Sequence, residues 1–177
     1  MRGRLLLGLF VLGLVGVSVA AAGLNGSWSV HANGSQEVPA RDTQGQAQAI
    51  FHLSKDGSSL DYKLIASNIE NVFMAHIHIG PADGTGPVAV WLYPSTDADP
   101  GDPGGGPING VIATGTITAD DLQPATGDWD GTWEGLLAAI RSGGAYTNVH
   151  TSDGVDPGNT GPGDFPGGEI RGQFKGR

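Results

Sequence analysis

The 177-residue chain contains no cysteine, few basic residues and no long apolar run after residue 22. The absence of cysteine excludes disulfides, thiol catalysis, iron–sulfur clusters and cysteine-ligated zinc. Only 9 lysines and arginines stand against 18 acidic residues, for a formal charge of −9. Phosphate contacts need clustered basic side chains, so the composition argues against a nucleic-acid partner. The length suits one domain that buries a substantial core.

Residues 1–22 have the pattern of a secretory signal peptide. Arg2 and Arg4 precede an apolar stretch from Leu5 to Val19, and Ala20–Ala22 supplies small residues for cleavage. We therefore expect residues 23–177 to form a single mature domain that is secreted or held in the periplasm or cell envelope. After cleavage, no further segment predicts a membrane partner. The alternative is an uncleaved N-terminal anchor.

The mature chain predicts an all-β fold, because short runs of alternating apolar and polar residues are separated by turn residues. The alternation is clearest in Ala47–Leu53 and Leu60–Ala66, which flank the hairpin signal Asp56-Gly57. The spacing of the strands is typical of a β-sandwich. Further strands are predicted at Trp28–Val30, Val72–Ile79, Val88–Tyr93, Val111–Thr118, Ala145–His150 and Glu169–Phe174.

One short helix and two long loops interrupt this pattern. Apolar residues from Trp133 to Ile140 recur at helical spacing, and the predicted helix ends at Gly143-Gly144. It is long enough only to cover one end of a β-fold. The acidic, Gly/Pro-rich segments at about 94–110 and 151–168 exceed the usual connection length, so we expect them to be functional, mobile or inserted.

Three histidines are the candidate metal ligands. His76 and His78 stand two apart in a predicted strand, which places both imidazoles on one face, about 7 Å apart. The odd-numbered residues of this strand are apolar, so the histidine face is where we expect a site to open. His150 ends another strand beside a polar loop. Three neutral imidazoles suit Cu(II) or Zn(II), and the order of affinities favours copper.

The alternative for these histidines is three separate strand residues with hydrogen-bonded rings. If they bind one metal, their nitrogens must approach to within about 3–4 Å of one another, because each lies about 2 Å from the ion. Without cysteine, we expect nitrogen and oxygen donors only. The fourth ligand stays open among His31, His52, an acidic loop side chain and water.

No catalytic constellation stands out in the sequence. There is no Gly-x-Ser-x-Gly elbow and no phosphate-binding glycine loop followed by a helix. The paired carboxylates Asp120 and Asp121 fall at a predicted turn, without an apolar setting that would raise either pKa. Glu169 and Arg171 share a strand face, and we expect them to form a structural ion pair.

Several motifs, in one order, resemble the CHRD domain family, which is named after chordin and is widespread in bacterial secreted proteins. The resemblance extends from about Val30 to Phe174 and implies an immunoglobulin-like or superoxide-dismutase-like Greek-key β-sandwich or barrel with one short helix. The matching stretches are Gly34–Pro39 (GSQEVP), Ala75–Ala82 (AHIHIGPA), Gly86–Val90 (GPVAV), Gly144–Thr151 (GAYTNVHT) and Pro166–Gln173 (PGGEIRGQ).

A fainter similarity is to copper/zinc superoxide dismutases, in which a His-x-His strand and a late histidine bind copper. His76 and His78 resemble that pair, and His150 resembles the late histidine. The metal-bridging histidine and the loop disulfide have no counterpart. Three functions follow as expectations: an exported mononuclear copper-binding protein for storage, delivery or stress protection; a noncatalytic extracellular interaction or adhesion module; and a superoxide-dismutase-like copper oxidoreductase.

Overall fold

The computed structural model describes residues 26–94 and 100–176. The predicted signal peptide at residues 1–22 and residues 95–99 of the first acidic loop lie outside the described residues. Within these two ranges the chain forms eight β-strands and one α-helix. The elements are β1 (Ser27–Asn33), β2 (Gln46–Leu53), β3 (Leu60–Glu70), β4 (Val72–Ile79), β5 (Val88–Tyr93), β6 (Pro107–Ile117), α1 (Trp133–Ser142), β7 (Ala145–Thr151) and β8 (Ile170–Gln173).

The strands form one antiparallel sheet in the order β5-β4-β7-β8-β1-β2-β3-β6. The two terminal strands of this order, β5 and β6, lie against each other, so the sheet nearly closes into a barrel. A hydrogen bond links the two sides, because the Tyr62 hydroxyl on β3 donates to the Leu92 carbonyl on β5 at 2.7 Å. The predicted all-β class with one short helix is confirmed.

A single residue carries the chain from one half of the sheet to the other. Asn71 separates β3 from β4, which are not neighbours in the sheet, and it adopts a left-handed φ of 55°. Asparagine tolerates this conformation better than most residues. Its side chain also donates to the Gly163 carbonyl at 3.1 Å and accepts from the Gly106 amide at 2.9 Å. β4 follows directly and pairs with β7.

The core follows the predicted alternation on one side of the barrel and departs from it on the other. On β2 and on β3 from Leu60 to Ala66 every second residue is buried, including Phe51 and Leu64, as the sequence predicts. The Phe51 ring lies 5.1 Å from that of Phe174, which joins the two halves of the core. On β7, by contrast, all residues from Ala145 to Thr151 are buried. Both faces of β7 are therefore covered, including the face that carries His150.

Helix α1 covers the core as predicted. Leu136, Leu137 and Ile140 are buried. The Thr132 side chain accepts a hydrogen bond from the Gly135 amide, and Gly143 ends the helix with a φ of 79°, a conformation that glycine adopts without strain.

The predicted start of β6 at Val111 was wrong. The strand begins at Pro107, which pairs with Glu70, and Ile108 pairs with Ile69. Proline cannot donate to a sheet hydrogen bond, but it is tolerated at the first residue of an edge strand. A register shift between Ala66 and Ile69 accommodates the additional residues.

Candidate metal centre

The fold brings the three predicted histidines together on one face of the β4–β7 pair. His76 is paired with Asn148, so His150 lies one same-face position further along the neighbouring strand. One potential ligand atom from each of His76, His78 and His150 lies within 4.8 Å of the others. The closest contact joins His76 Nδ1 to His150 Nε2 at 3.0 Å. That distance falls within the 3–4 Å expected between ligands of one metal, whereas the three potential ligand atoms together are up to 4.8 Å apart.

Two backbone carbonyls determine the tautomers of the rings. His78 Nδ1 donates to the Gly86 carbonyl and His150 Nδ1 donates to the Pro166 carbonyl, each at 2.9 Å. A carbonyl only accepts, so both neutral rings carry their proton on Nδ1 and keep a lone pair on Nε2. The His150 Nε2 lone pair then accepts the Nδ1 proton of His76. The Nε2 atoms of His76 and His78 are buried and have no hydrogen-bond partner.

Burial keeps all three rings uncharged at neutral pH. His76, His78 and His150 are 3%, 8% and 6% exposed. Loss of hydration, together with the nearby His150 and His78, lowers the pKa of His76 to about 2. Burial likewise lowers the pKa of His78 to about 4, and it lowers the pKa of His150. The expectation that the histidine face is open was therefore wrong, because covering loops bury it.

Aromatic rings surround the cluster. Trp91 on β5 meets His76 edge to face, with ring centroids 4.3 Å apart. Tyr146 stacks on His78 at 4.8 Å and an interplanar angle of 5°. The guanidinium of Arg171 lies 3.5 Å from the centroid of the Tyr146 ring. These contacts fix the orientation of two of the three imidazoles.

Arg171 holds the loop that supplies the Gly86 carbonyl. It donates to the carbonyls of Gly84 and Pro81, both at 2.6 Å, and is 1% exposed. The expected Glu169–Arg171 ion pair does not form, because each side chain has other partners. Glu169 instead accepts hydrogen bonds from two threonine hydroxyls and a backbone amide, those of Thr43, Thr151 and Gly163.

The second predicted loop contributes directly to the site. Its distal part returns over β7, where the Phe165 amide donates to the Thr151 hydroxyl at 3.0 Å. Arg41 lies over the Phe165 ring at 4.7 Å from the centroid. Pro166 follows and accepts the proton of His150. Its composition marked the segment as unusual, but the sequence does not show that it packs over the histidines.

The other candidate histidine ligands lie elsewhere. His31 and His52 are exposed on β1 and β2, and His52 contacts the Ser27 hydroxyl at 3.0 Å. Within residues 26–94 and 100–176, the one cluster of three or more histidine, aspartate or glutamate side chains placed to hold a metal is His76, His78 and His150. Neither His31 nor His52 therefore completes the site.

The fold and the site define a β-domain with a buried three-histidine cluster. A family model for the CHRD domain matches residues 28–174, so the chain belongs to the CHRD-domain family, whose domains are of extracellular type. No curated protein and no solved structure gives a significant match. Across the described ranges, no helix combines the length and apolar character required for a membrane span.

Replacing Gly86 with alanine tests how tightly the loop that supplies the carbonyl to His78 is packed. An added Cβ would lie 1.6 Å from the Ile79 carbonyl oxygen, so the loop must move. We expect Gly86→Ala to lower the free energy of unfolding by about 1–3 kcal/mol, as overpacking does, measured by urea denaturation. Gly167→Ala is the matched control, since it neighbours Pro166 and finds no atom within 4 Å. Equal stability of the two variants would contradict this account.

The metal-free protein should lose stability in acid because of its buried histidines. An unfolded histidine titrates near pH 6.5, whereas folded His78 does so at about 4. Below pH 6.5 the unfolded state therefore binds more protons than the folded state. The stabilisation that is present above pH 6.5 is lost as the pH falls towards 4. The slope is at most about 1.4 kcal/mol per pH unit for each such group.

Comparing a variant of His78 with a variant of an exposed histidine separates the contribution of His78 to the pH dependence of stability from that of other titrating groups. Burial raises the pKa of Glu37 to about 7, so Glu37 acts in the opposite direction and loses its contribution as pH rises from 4.5. We expect His78→Gln to reduce the slope of the free energy of unfolding against pH, measured by urea denaturation between pH 7.5 and 5. The reduction corresponds to at most one proton, or about 1.4 kcal/mol per pH unit. His52→Gln, on the exposed face, should leave it unchanged. An unaltered slope in His78→Gln would count against the buried neutral ring.

Proposed function

We propose that this chain is an exported protein that binds one copper ion through His76, His78 and His150. The observation that carries the proposal is the hydrogen bonding of the rings: carbonyls hold Nδ1 of His78 and His150, which leaves the lone pair of each ring on Nε2, in a cluster whose potential ligand atoms lie within 4.8 Å. Histidines that bind metals usually donate their second nitrogen in this way. Two buried Nε2 atoms also lack partners, which is costly unless a ligand satisfies them.

The donor set supports copper over other ions. Imidazole nitrogens suit copper and zinc, whereas calcium and magnesium prefer oxygen. The affinity order of divalent ions places copper above zinc, so zinc is the second choice. Binding must break the hydrogen bond between His76 Nδ1 and His150 Nε2, which frees the His150 lone pair. It also requires the nitrogens, now within 4.8 Å, to close by small ring rotations. A protein of this kind would serve in copper storage, delivery or stress protection.

Export is supported by the leader pattern of residues 1–22 and by membership of an extracellular-type domain family. Cleavage would remove Arg2 and Arg4, so the mature protein would be two charges more negative than the −9 of the full sequence. An acidic surface raises the local concentration of cations. We propose a secreted or periplasmic location with a metal ion as the partner.

Copper titration of residues 23–177 tests the proposal. We expect about one tightly bound Cu(II), with nitrogen hyperfine structure in its paramagnetic resonance spectrum, and loss of this binding in His78→Ala. His52→Ala is the matched control, because it removes an exposed histidine of the same domain. Tight binding that persists in His78→Ala would overturn the proposal. Absence of tight binding of both Cu(II) and Cu(I) would favour the alternative of a noncatalytic interaction or adhesion module.

A superoxide assay separates copper binding from dismutation. We expect the copper-loaded protein to show little superoxide turnover, because the three rings are at most 8% exposed and Trp91 and Tyr146 lie against them. Rapid turnover that disappears in His78→Ala would instead assign a superoxide-dismutase-like copper oxidoreductase. The same variant thus separates the enzyme from the binding protein.

A further inference from the structure

A methionine occupies the same face of β4 as the two histidines. Met74 precedes His76 by two residues, and side chains two apart on a strand point to the same side. In the β4–β7 pairing, Met74 lies directly opposite His150. Opposed residues have their Cβ atoms about 4.5–5.5 Å apart. The thioether is therefore attached next to His76 along the strand and next to His150 across it.

Met74 also occupies the more accessible end of this face. It is half-buried, whereas His76, His78 and His150 are buried. It lies where β7 ends and the polar segment after Thr151 begins. Methionine is unbranched and has three rotatable side-chain bonds, so its sulfur can adjust to an ion held by the histidines.

We propose that the Met74 thioether is a fourth ligand of the histidine site and that the resulting His3Met set binds Cu(I). The inference rests on the proposed copper binding and names the oxidation state and a further ligand. Thioether sulfur is a soft donor that selects Cu(I). It adds sulfur to a site for which the sequence predicts nitrogen and oxygen alone.

The electrostatics of the site support the same ion. All four donors are neutral, and the metal-capable cluster contains no carboxylate among the described residues. The cost of transferring an ion from water into a low-dielectric interior grows with the square of its charge, so a doubly charged ion is penalised more than Cu(I). A buried site without anionic ligands thus favours the singly charged ion.

Competition titrations with a chromophoric Cu(I) chelator, without oxygen, test this on residues 23–177. Met74→Leu conserves most of the volume, and thermal unfolding of the metal-free variant checks its fold. We expect Met74→Leu to weaken Cu(I) binding by about tenfold or more, with a much smaller change for Cu(II). Met1 is the other methionine of the sequence, so selenomethionine labels the mature domain at position 74. The copper X-ray absorption spectrum should then show a selenium neighbour.

The outcomes separate the two proposals. If His78→Ala abolishes copper binding while Met74→Leu binds Cu(I) as tightly as the unaltered protein, and no sulfur or selenium neighbour is seen, the Met74 assignment is overturned and the histidine site stands. If the unaltered protein binds neither Cu(I) nor Cu(II), both proposals fail. An equal loss of Cu(I) and Cu(II) binding in Met74→Leu would also overturn the preference for Cu(I).

Discussion

Two backbone carbonyls, those of Gly86 and Pro166, decide what the three buried histidines can do. Each accepts an imidazole Nδ1 proton at 2.9 Å and so leaves the lone pair of that ring on Nε2. A ring that lost its carbonyl would have a buried donor without a partner, which costs about 1–3 kcal/mol. The chemistry of the site therefore depends on the position of two loops as much as on the spacing of the histidines along their strands.

The last strand holds both loops in place. Arg171 on β8 binds the carbonyls of Pro81 and Gly84, and Gln173 binds those of Gly80 and Gly143. Just before β8, Glu169 accepts the Gly163 amide and so anchors the second loop. Buried polar side chains are stable only when their hydrogen bonds are satisfied, and here backbone groups of the loops satisfy most of them. A strand of four residues thereby connects the sheet to the site.

Local patterns predict the strands of this protein better than its covered surfaces. The alternation of β2 and β3 predicts their buried faces, and the His76–His78 spacing, together with the position of His150, predicts the cluster. Alternation cannot predict that loops bury the polar face as well. The hydrogen bonds of Arg171 could not be predicted either, because its carbonyl partners are 87 and 90 residues away in the chain. No pattern in the residues around Arg171 identifies them. Its spacing from Glu169 suggested an ion pair that does not form.

The charge balance around the cluster limits which ions it can hold. Arg171 stacks on Tyr146, which stacks on His78, and its positive charge lowers the pKa of that histidine. A charge that disfavours a proton on His78 disfavours a metal cation there for the same reason. Glu37 offsets Arg171 only when ionised, and burial raises the pKa of Glu37 to about 7, so near neutral pH the offset is partial. A metal ion must therefore bind near the Arg171 guanidinium, whose charge Glu37 offsets only in part. Each additional unit of charge on the metal ion weakens its binding.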